Sequence, residues 1–133
     1  MDDIFVGQLM SDDLFTATKD TLVEDAAETM LSNGVGSLVV VDDDGRLEGI
    51  LTTTDFVDIV ARSKPKAETT VERYMTTDVI TASAQDSIQD VADAMIEHGF
   101  HHMPVVDEDG VVIGIVTTKD LTAYISTVQT PSP

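Results

Sequence analysis

Gly49-Ile50-Leu51-Thr52-Thr53-Thr54-Asp55 is written a second time as Gly114-Ile115-Val116-Thr117-Thr118-Lys119-Asp120. The same constant shift lays Met10 on Met75, Thr16 on Thr81, Asp25 on Asp90, Met30 on Met95, Gly34 on Gly99 and Gly45 on Gly110. Followed outward, the correspondence runs without a gap from Val6 to about Val60 and again from Val71 to about Ile125, with roughly a third of the paired positions identical. A repeat this clear decides architecture before single residues are weighed. The chain has 133 residues, one ordinary domain by length, and either copy alone would be marginal if it had to bury its own core. The two copies are therefore expected to pack on each other as one pseudo-symmetric body.

Within each copy the periodicities read as strand, helix, strand, strand, helix. Leu14 to Thr18 and Val79 to Ser83 are short β-type runs. A helix follows each, with apolar stripes Val23, Ala26, Ala27, Met30, Leu31 and Ile88, Val91, Ala92, Met95, Ile96 at three- and four-residue spacing. Thr21-x-x-Glu24 and Asp86-x-x-Gln89 have the form of capping boxes, and Gly34 and Gly99 stand where helices end. The methionines in these stripes read as core packing. Two apolar runs joined by an acidic turn come next: Ser37 to Asp42 and Arg46 to Leu51 around Asp42-Asp43-Asp44-Gly45, then Met103 to Asp107 and Val111 to Val116 around Asp107-Glu108-Asp109-Gly110. That is the composition of an antiparallel hairpin with a glycine supplying positive φ. It is not a calcium loop of the EF-hand kind, whose twelfth position requires glutamate where this chain has Thr53 or Thr118. Each copy closes with a helix from Thr53 to about Ala61 or Thr118 to about Ser126, its start carrying a threonine with an acid three residues on, a capping arrangement favourable to the helix dipole.

Composition excludes several classes of function. The 25 acidic and 7 basic residues give a net charge of −18, yet a hydrophobic fraction of 42% is that of a folded protein. Acid spread over both copies with little lysine resembles a surface adapted to a high-salt cytoplasm, and it supplies no basic face for nucleic acid. Cysteine is absent, which removes disulfides, thiol nucleophiles and thiolate metal sites. The first residues lack a positively charged leader pattern and no apolar run approaches a membrane span, so a soluble cytoplasmic chain is expected with no membrane contact. There is no nucleophile elbow, P-loop or His-Glu-x-x-His, and an enzyme is not expected. His98-x-x-His101-His102 lacks the partners that would complete a metal site.

Met75-Thr76-Thr77-Asp78-Val79-Ile80-Thr81, Met103-Pro104-Val105-Val106-Asp107 and both Gly-x-x-Thr-x-x-Asp endings, in order and in two copies, resemble the tandem cystathionine β-synthase (CBS) domain pair, or Bateman module. The resemblance covers Val6 to about Ile125. It implies an α+β fold of two pseudo-symmetric β-α-β-β-α repeats packed through their sheets, repeat 1 over 6–62, a linker over 63–70, repeat 2 over 71–126 and a disordered tail over 127–133. It also implies two clefts that hold adenine nucleotides (AMP, ADP or ATP) or related adenosyl compounds as regulatory ligands, with no required cofactor. Asp120 and Asp55 are then the ribose candidates. Thr117 and Thr52, with Lys119, His101 and His102, are the phosphate candidates, and Thr81, Thr16, Ile80, Met103 and Pro104 line the base pocket. A carboxylate matches a cis-diol and a helix N-terminus attracts anions, so the chemistry agrees with the implied roles. Repeat 1 carries Gly36, Ser37 and Thr54 where repeat 2 has His101, His102 and Lys119, which favours the second site for a phosphorylated ligand. The resemblance further implies a homodimer and, since many relatives regulate a domain on the same polypeptide and none is appended here, action in trans on an unidentified partner. The alternative is a ligand-free adaptor that docks a protein.

Overall fold

The computed structural model describes residues 4–62 and 69–128. Its elements in chain order are α1 (Val6–Leu9), β1 (Thr16–Ala17), α2 (Val23–Asn33), β2 (Ser37–Val41), β3 (Leu47–Thr52), α3 (Thr53–Arg62), a 3-10 turn (Val71–Arg73), α4 (Ile88–His98), β4 (His102–Val106), β5 (Val112–Thr117) and α5 (Thr118–Val128). The fold is α+β, and helix, hairpin, helix recur in both copies. Residues 63–68 of the expected linker and 129–133 of the expected tail lie outside the described residues. Thr127 and Val128, expected in the tail, belong to α5.

The chain forms two compact units that do not coincide with its two halves. The first-repeat unit spans Leu14–Val79, and the second-repeat unit joins the segment ending at Asp13 to the chain from Ile80 onward. Each unit is therefore completed by the leading segment of the other copy. In the second-repeat unit Val6 donates to the Asp86 carbonyl at 2.8 Å, and Ser11 and Ile115 exchange backbone bonds at 2.8 and 2.9 Å. In the first-repeat unit Val71 donates to Thr21 at 2.8 Å, and Thr76 and Ile50 exchange bonds at 2.9 and 3.0 Å. The two cores match position for position: Val6, Ala82, Val91, Met95, Met103, Val105 and Val116 in one, Val71, Ala17, Ala26, Met30, Leu38, Val40 and Leu51 in the other.

Gly49 and Gly114 exist to admit these leading segments. A Cβ on Gly49 would stand 2.7 Å from the Thr76 carbonyl oxygen and 2.9 Å from the Met75 sulfur; one on Gly114 would meet the Ser11 carbonyl oxygen at 3.0 Å and crowd Met10. Only a residue without a side chain lets the segment lie so close to the strand.

Both hairpins are antiparallel, pairing Ser37 with Thr52 and His102 with Thr117. Their turns are closed by Asp42 and Asp107, whose carboxylates accept backbone N–H groups two and four residues on at 2.9 to 3.0 Å, with Gly45 and Gly110 at φ 81° and 82°. The parallel pairing is where the copies part. β1 pairs with β2 through Thr16↔Val39 and Ala17↔Val40. In the second copy only Ala82↔Val105 remains, so the expected run Val79–Ser83 is no strand and Leu14–Thr18 shrinks to two residues. The reason is Pro104, which stands where the first copy has Val39. A parallel bridge at Thr81 and Pro104 needs an N–H that proline lacks, while the Pro104 carbonyl still accepts Ala82 N–H at 3.0 Å.

The helix starts also differ from expectation. α2 has Leu22 at its N-cap with no side-chain bond, and the Thr21 hydroxyl instead accepts Thr18 N–H at 3.0 Å. α4 is capped by Ser87, whose hydroxyl accepts Gln89 N–H at 3.1 Å, while Asp86 turns back to Ser83 N–H at 2.9 Å. Thr21 and Asp86 close the turn before each helix, one residue too early to cap it. Gly34 and Gly99 do end the helices, at φ 62° and 71°. The helical stripes are narrower than the sequence suggests. Leu31 is 80% and Ile96 81% exposed, while Met30 and Met95 beside them are buried.

Candidate functional site

The end of each hairpin hands a strand directly to a helix, and that junction gathers the polar candidates. In the second-repeat unit Asp120 Oδ2 accepts Thr117 N–H at 2.8 Å and the Thr117 hydroxyl at 3.1 Å, while Asp120 N–H lies 3.3 Å from Thr117 Oγ1. The first-repeat unit repeats this with Thr52 and Asp55 at 2.8 and 3.3 Å. The expected capping is thus present at both ends. It uses only Oδ2 of each aspartate, so Oδ1 is left to accept from a further donor.

His101 and His102 enter from β4. The His101 carbonyl accepts Thr118 N–H at 3.0 Å, fixing the first turn of α5 against the strand, and the His101 side chain is exposed. His102 pairs with Thr117 across the hairpin, an arrangement that places the two side chains on one face. It is half-buried, and its Nδ1 is sealed from solvent with no hydrogen-bond partner. Burial pushes the imidazole pKa below its ordinary value of 6.5, repulsion from His101 lowers it further, and attraction to Asp120 opposes both. Lys119 projects from the exposed side of the first turn of α5. In the first-repeat unit the position of His102 is taken by Ser37, which is 8% exposed, and that of His101 by Gly36, whose carbonyl accepts Thr53 N–H at 3.1 Å.

The base-pocket candidates are more scattered. Met103 packs into the core of its unit and Pro104 is fully buried, whereas Thr16, Thr81 and Ile80 are exposed. An open groove of about 470 Å³ runs between Thr81–Gln85 and the Val106–Glu108 turn. Of the candidates it reaches Thr81 alone. It lies at the turn end of the hairpin, about 13 Å along β4 from His102 at the usual rise per residue. In the first-repeat unit the positions of Ala84 and Ile113, two of its walls, carry Lys19 and Glu48, which form an ion pair at 3.0 Å. His98 stacks on Phe100 with ring centroids 6.1 Å apart, and among the described residues no group of three potential ligands could hold a metal. Among them, too, no helix is long and apolar enough to cross a membrane. Sequence reasoning missed the unpaired Nδ1, which depends on packing that spacing does not reveal.

The sequence model of the CBS domain matches residues 6–62 and 71–127, so the chain belongs to the CBS-domain family. The fold superposes on the CBS domain pair of protein MJ0100 in complex with 5′-methylthioadenosine and S-adenosyl-L-methionine at a TM-score of 0.87 and 29% identity, covering 95% of this chain and 98% of that one. CBSX2 in complex with AMP superposes at a TM-score of 0.86 and 25% identity, covering 95% and 99%. In sequence, an uncharacterized 17.7 kDa protein of Acidianus ambivalens is 33% identical over 94% of this chain and 75% of its own length. A homoserine O-acetyltransferase of Methanosalsum zhilinae is 34% identical over 94% of this chain, which spans only 25% of that enzyme.

Proposed function

We propose that this chain is a regulatory module that binds an adenosyl-containing small molecule at the strand-to-helix junctions, without catalysis, and passes occupancy on to a protein partner. The observation that carries the reading is the half-used carboxylate. Asp120 and Asp55 each spend one oxygen on the local threonine and keep the other for a donor pair such as ribose hydroxyls, beside a helix N-terminus suited to an anion. Complexes of similar CBS pairs with AMP, and with 5′-methylthioadenosine and S-adenosyl-L-methionine, support it. Thr117 and Thr52 would face the phosphate or its replacement, with His101, His102 and Lys119 assisting in repeat 2, while the exposed Thr81, Thr16 and Ile80 would border the base, with Met103 and Pro104 buried beneath it. The second-repeat unit holds the tighter site.

Equivalent exposed apolar residues, Leu31 with Ile96 and Val60 with Ile125, favour a helix-mediated homodimer. Ligand biases the module only through unequal affinity for its alternative packings. The test is calorimetric titration with AMP, ADP, ATP and S-adenosylmethionine. Saturable binding by one of them supports the reading, and no binding by any would transfer the proposal to a ligand-free adaptor. The charge of −18 sharpens the test: screening shortens from about 10 Å at 0.1 M salt to about 3 Å at 1 M, so affinity for an anionic nucleotide should hold or rise with salt. A steep loss in molar salt with the protein still folded would contradict it.

A further inference from the structure

The groove at the turn end of the second hairpin belongs to neither strand-to-helix junction. Ala82, Ala84, Val106 and Ile113 give it apolar walls, and Asp107 and Glu108 make its turn side acidic. The first copy shows what stands there when the chain supplies it. Lys19 and Glu48 take the places of Ala84 and Ile113, and their side chains meet in an ion pair at 3.0 Å. Arg46, the first copy's other cation at this end of the hairpin, likewise has an apolar counterpart in Val111. The second copy thus carries the acidic turn without either cation. Lys119, on the first turn of α5, is the one lysine or arginine in the sequence of the second-repeat unit, against twelve acids. Among the described residues no cation pairs with Asp107, Glu108 or Asp109.

Charge alone would hold little here, because exposed ion pairs contribute weakly and fade with salt. A lysine adds an apolar stem, which can cover an apolar wall while its ammonium stays in water beside a carboxylate. We propose that this groove is where a basic segment of the partner protein docks, one lysine stem lying along Ala84 and Ile113 with its ammonium at Asp107 and Glu108, in the place that Lys19 takes in the first copy. The docking rests on the reading above that the module acts on a protein partner. It does not depend on the adenosyl ligand, because the groove and Asp120 lie at opposite ends of the hairpin. The first-repeat unit offers no equivalent, since its own Lys19 and Glu48 fill the position.

The probe is a capped peptide of alternating lysine and alanine, titrated into the full chain without nucleotide and followed by backbone amide shifts. Saturable shifts at Ser83–Gln85 and Val106–Glu108, without counterparts at Thr18–Asp20 and Val41–Asp43, are the expected result. Norleucine in place of lysine removes the charge and diaminobutyrate shortens the stem, and either change should weaken binding severalfold. Ala84→Lys combined with Ile113→Glu transplants the first copy's pair at no change in net charge and should abolish binding. Should that variant fail to fold, Glu108→Lys at an exposed position decides: it should weaken the peptide severalfold, while Asp43→Lys, the same change at the equivalent exposed residue, should not. Equal shifts at both hairpin turns, binding that survives the transplanted pair, free pentylamine matching the peptide in affinity, or no binding at all would each overturn the docking. Each leaves nucleotide binding, read separately by calorimetry, where it stood.

Discussion

The two units share a core position for position and differ at two places that matter, the parallel bridge and the strand-to-helix junction. In the first-repeat unit Val39 supports a short third strand and Ser37 faces Thr52. In the second, Pro104 cuts that pairing to a single bridge and His102 faces Thr117. This duplicated unit preserves what packs and diverges at the parallel ladder and at the strand-to-helix junction. The shared core explains why the fold survives divergence, and on the proposed reading the unequal junctions favour the second-repeat unit as the working site.

The comparison breaks most visibly if the leading segments are removed. Deleting residues 1–13 takes away Val6, which is fully buried, along with the bridge from Ser11 to Ile115. Loss of a buried valine alone costs about 1.5–3 kcal/mol, so the deletion should destabilise by more than that. Hydrogen exchange should show protection lost at Ile115 on β5 and kept at Ile50 on β3. Loss at Ile50 instead would mean that the segment completes its own repeat.

Gly114→Ala and Gly49→Ala test the same exchange more gently. Each added methyl meets backbone and a methionine at less than contact distance, an overpacking of about 1–3 kcal/mol readable in thermal melts. Gly114→Ala should be relieved in part by Met10→Ala, and Gly49→Ala by Met75→Ala. If each were instead relieved by the other methionine, the pairing described here would be wrong.

Much of this was legible in the sequence, and the exceptions have physical causes. The repeat, the hairpins, the glycine helix ends and the final capped helices follow from periodicity and turn chemistry, which act locally. The exchange of leading segments does not, because Val6 and Val71 look alike and nothing local tells which core each enters. Leu31 and Ile96 fall within the apolar stripe yet face solvent, since period alone cannot say how wide a face is covered. Pro104 was legible as a motif residue, but its effect on the parallel bridge needs the partner strand. At the junction the Thr–Asp pairs could be read from spacing, whereas the unpartnered nitrogen of His102 needed three-dimensional packing.

A smaller change sharpens the comparison. Pro104→Val restores an N–H where the first copy has one, and the Ile80 carbonyl should then accept it. Extra exchange protection at residue 104, comparable with that at Val39, is the expected result; an unprotected amide there would count against the proline explanation. The smallest effect concerns acid. Because the folded pKa of His102 is depressed below 6.5, the unfolded chain binds the extra proton first, so stability is full above pH 6.5 and falls as pH drops through the folded value. His102→Gln should remove part of that loss in melts at pH 5 relative to pH 7. An unchanged acid dependence would show that His102 is not desolvated as described.

The most direct test of the account is calorimetric titration of native, Asp120→Ala and Asp55→Ala proteins with AMP and S-adenosylmethionine in high salt, each variant verified as folded, since loss of a capping carboxylate costs about 1 kcal/mol. Saturable binding that disappears in Asp120→Ala and persists in Asp55→Ala is the predicted result. Binding undiminished in Asp120→Ala, or lost only in Asp55→Ala, would contradict the assignment of the working site to the second-repeat unit.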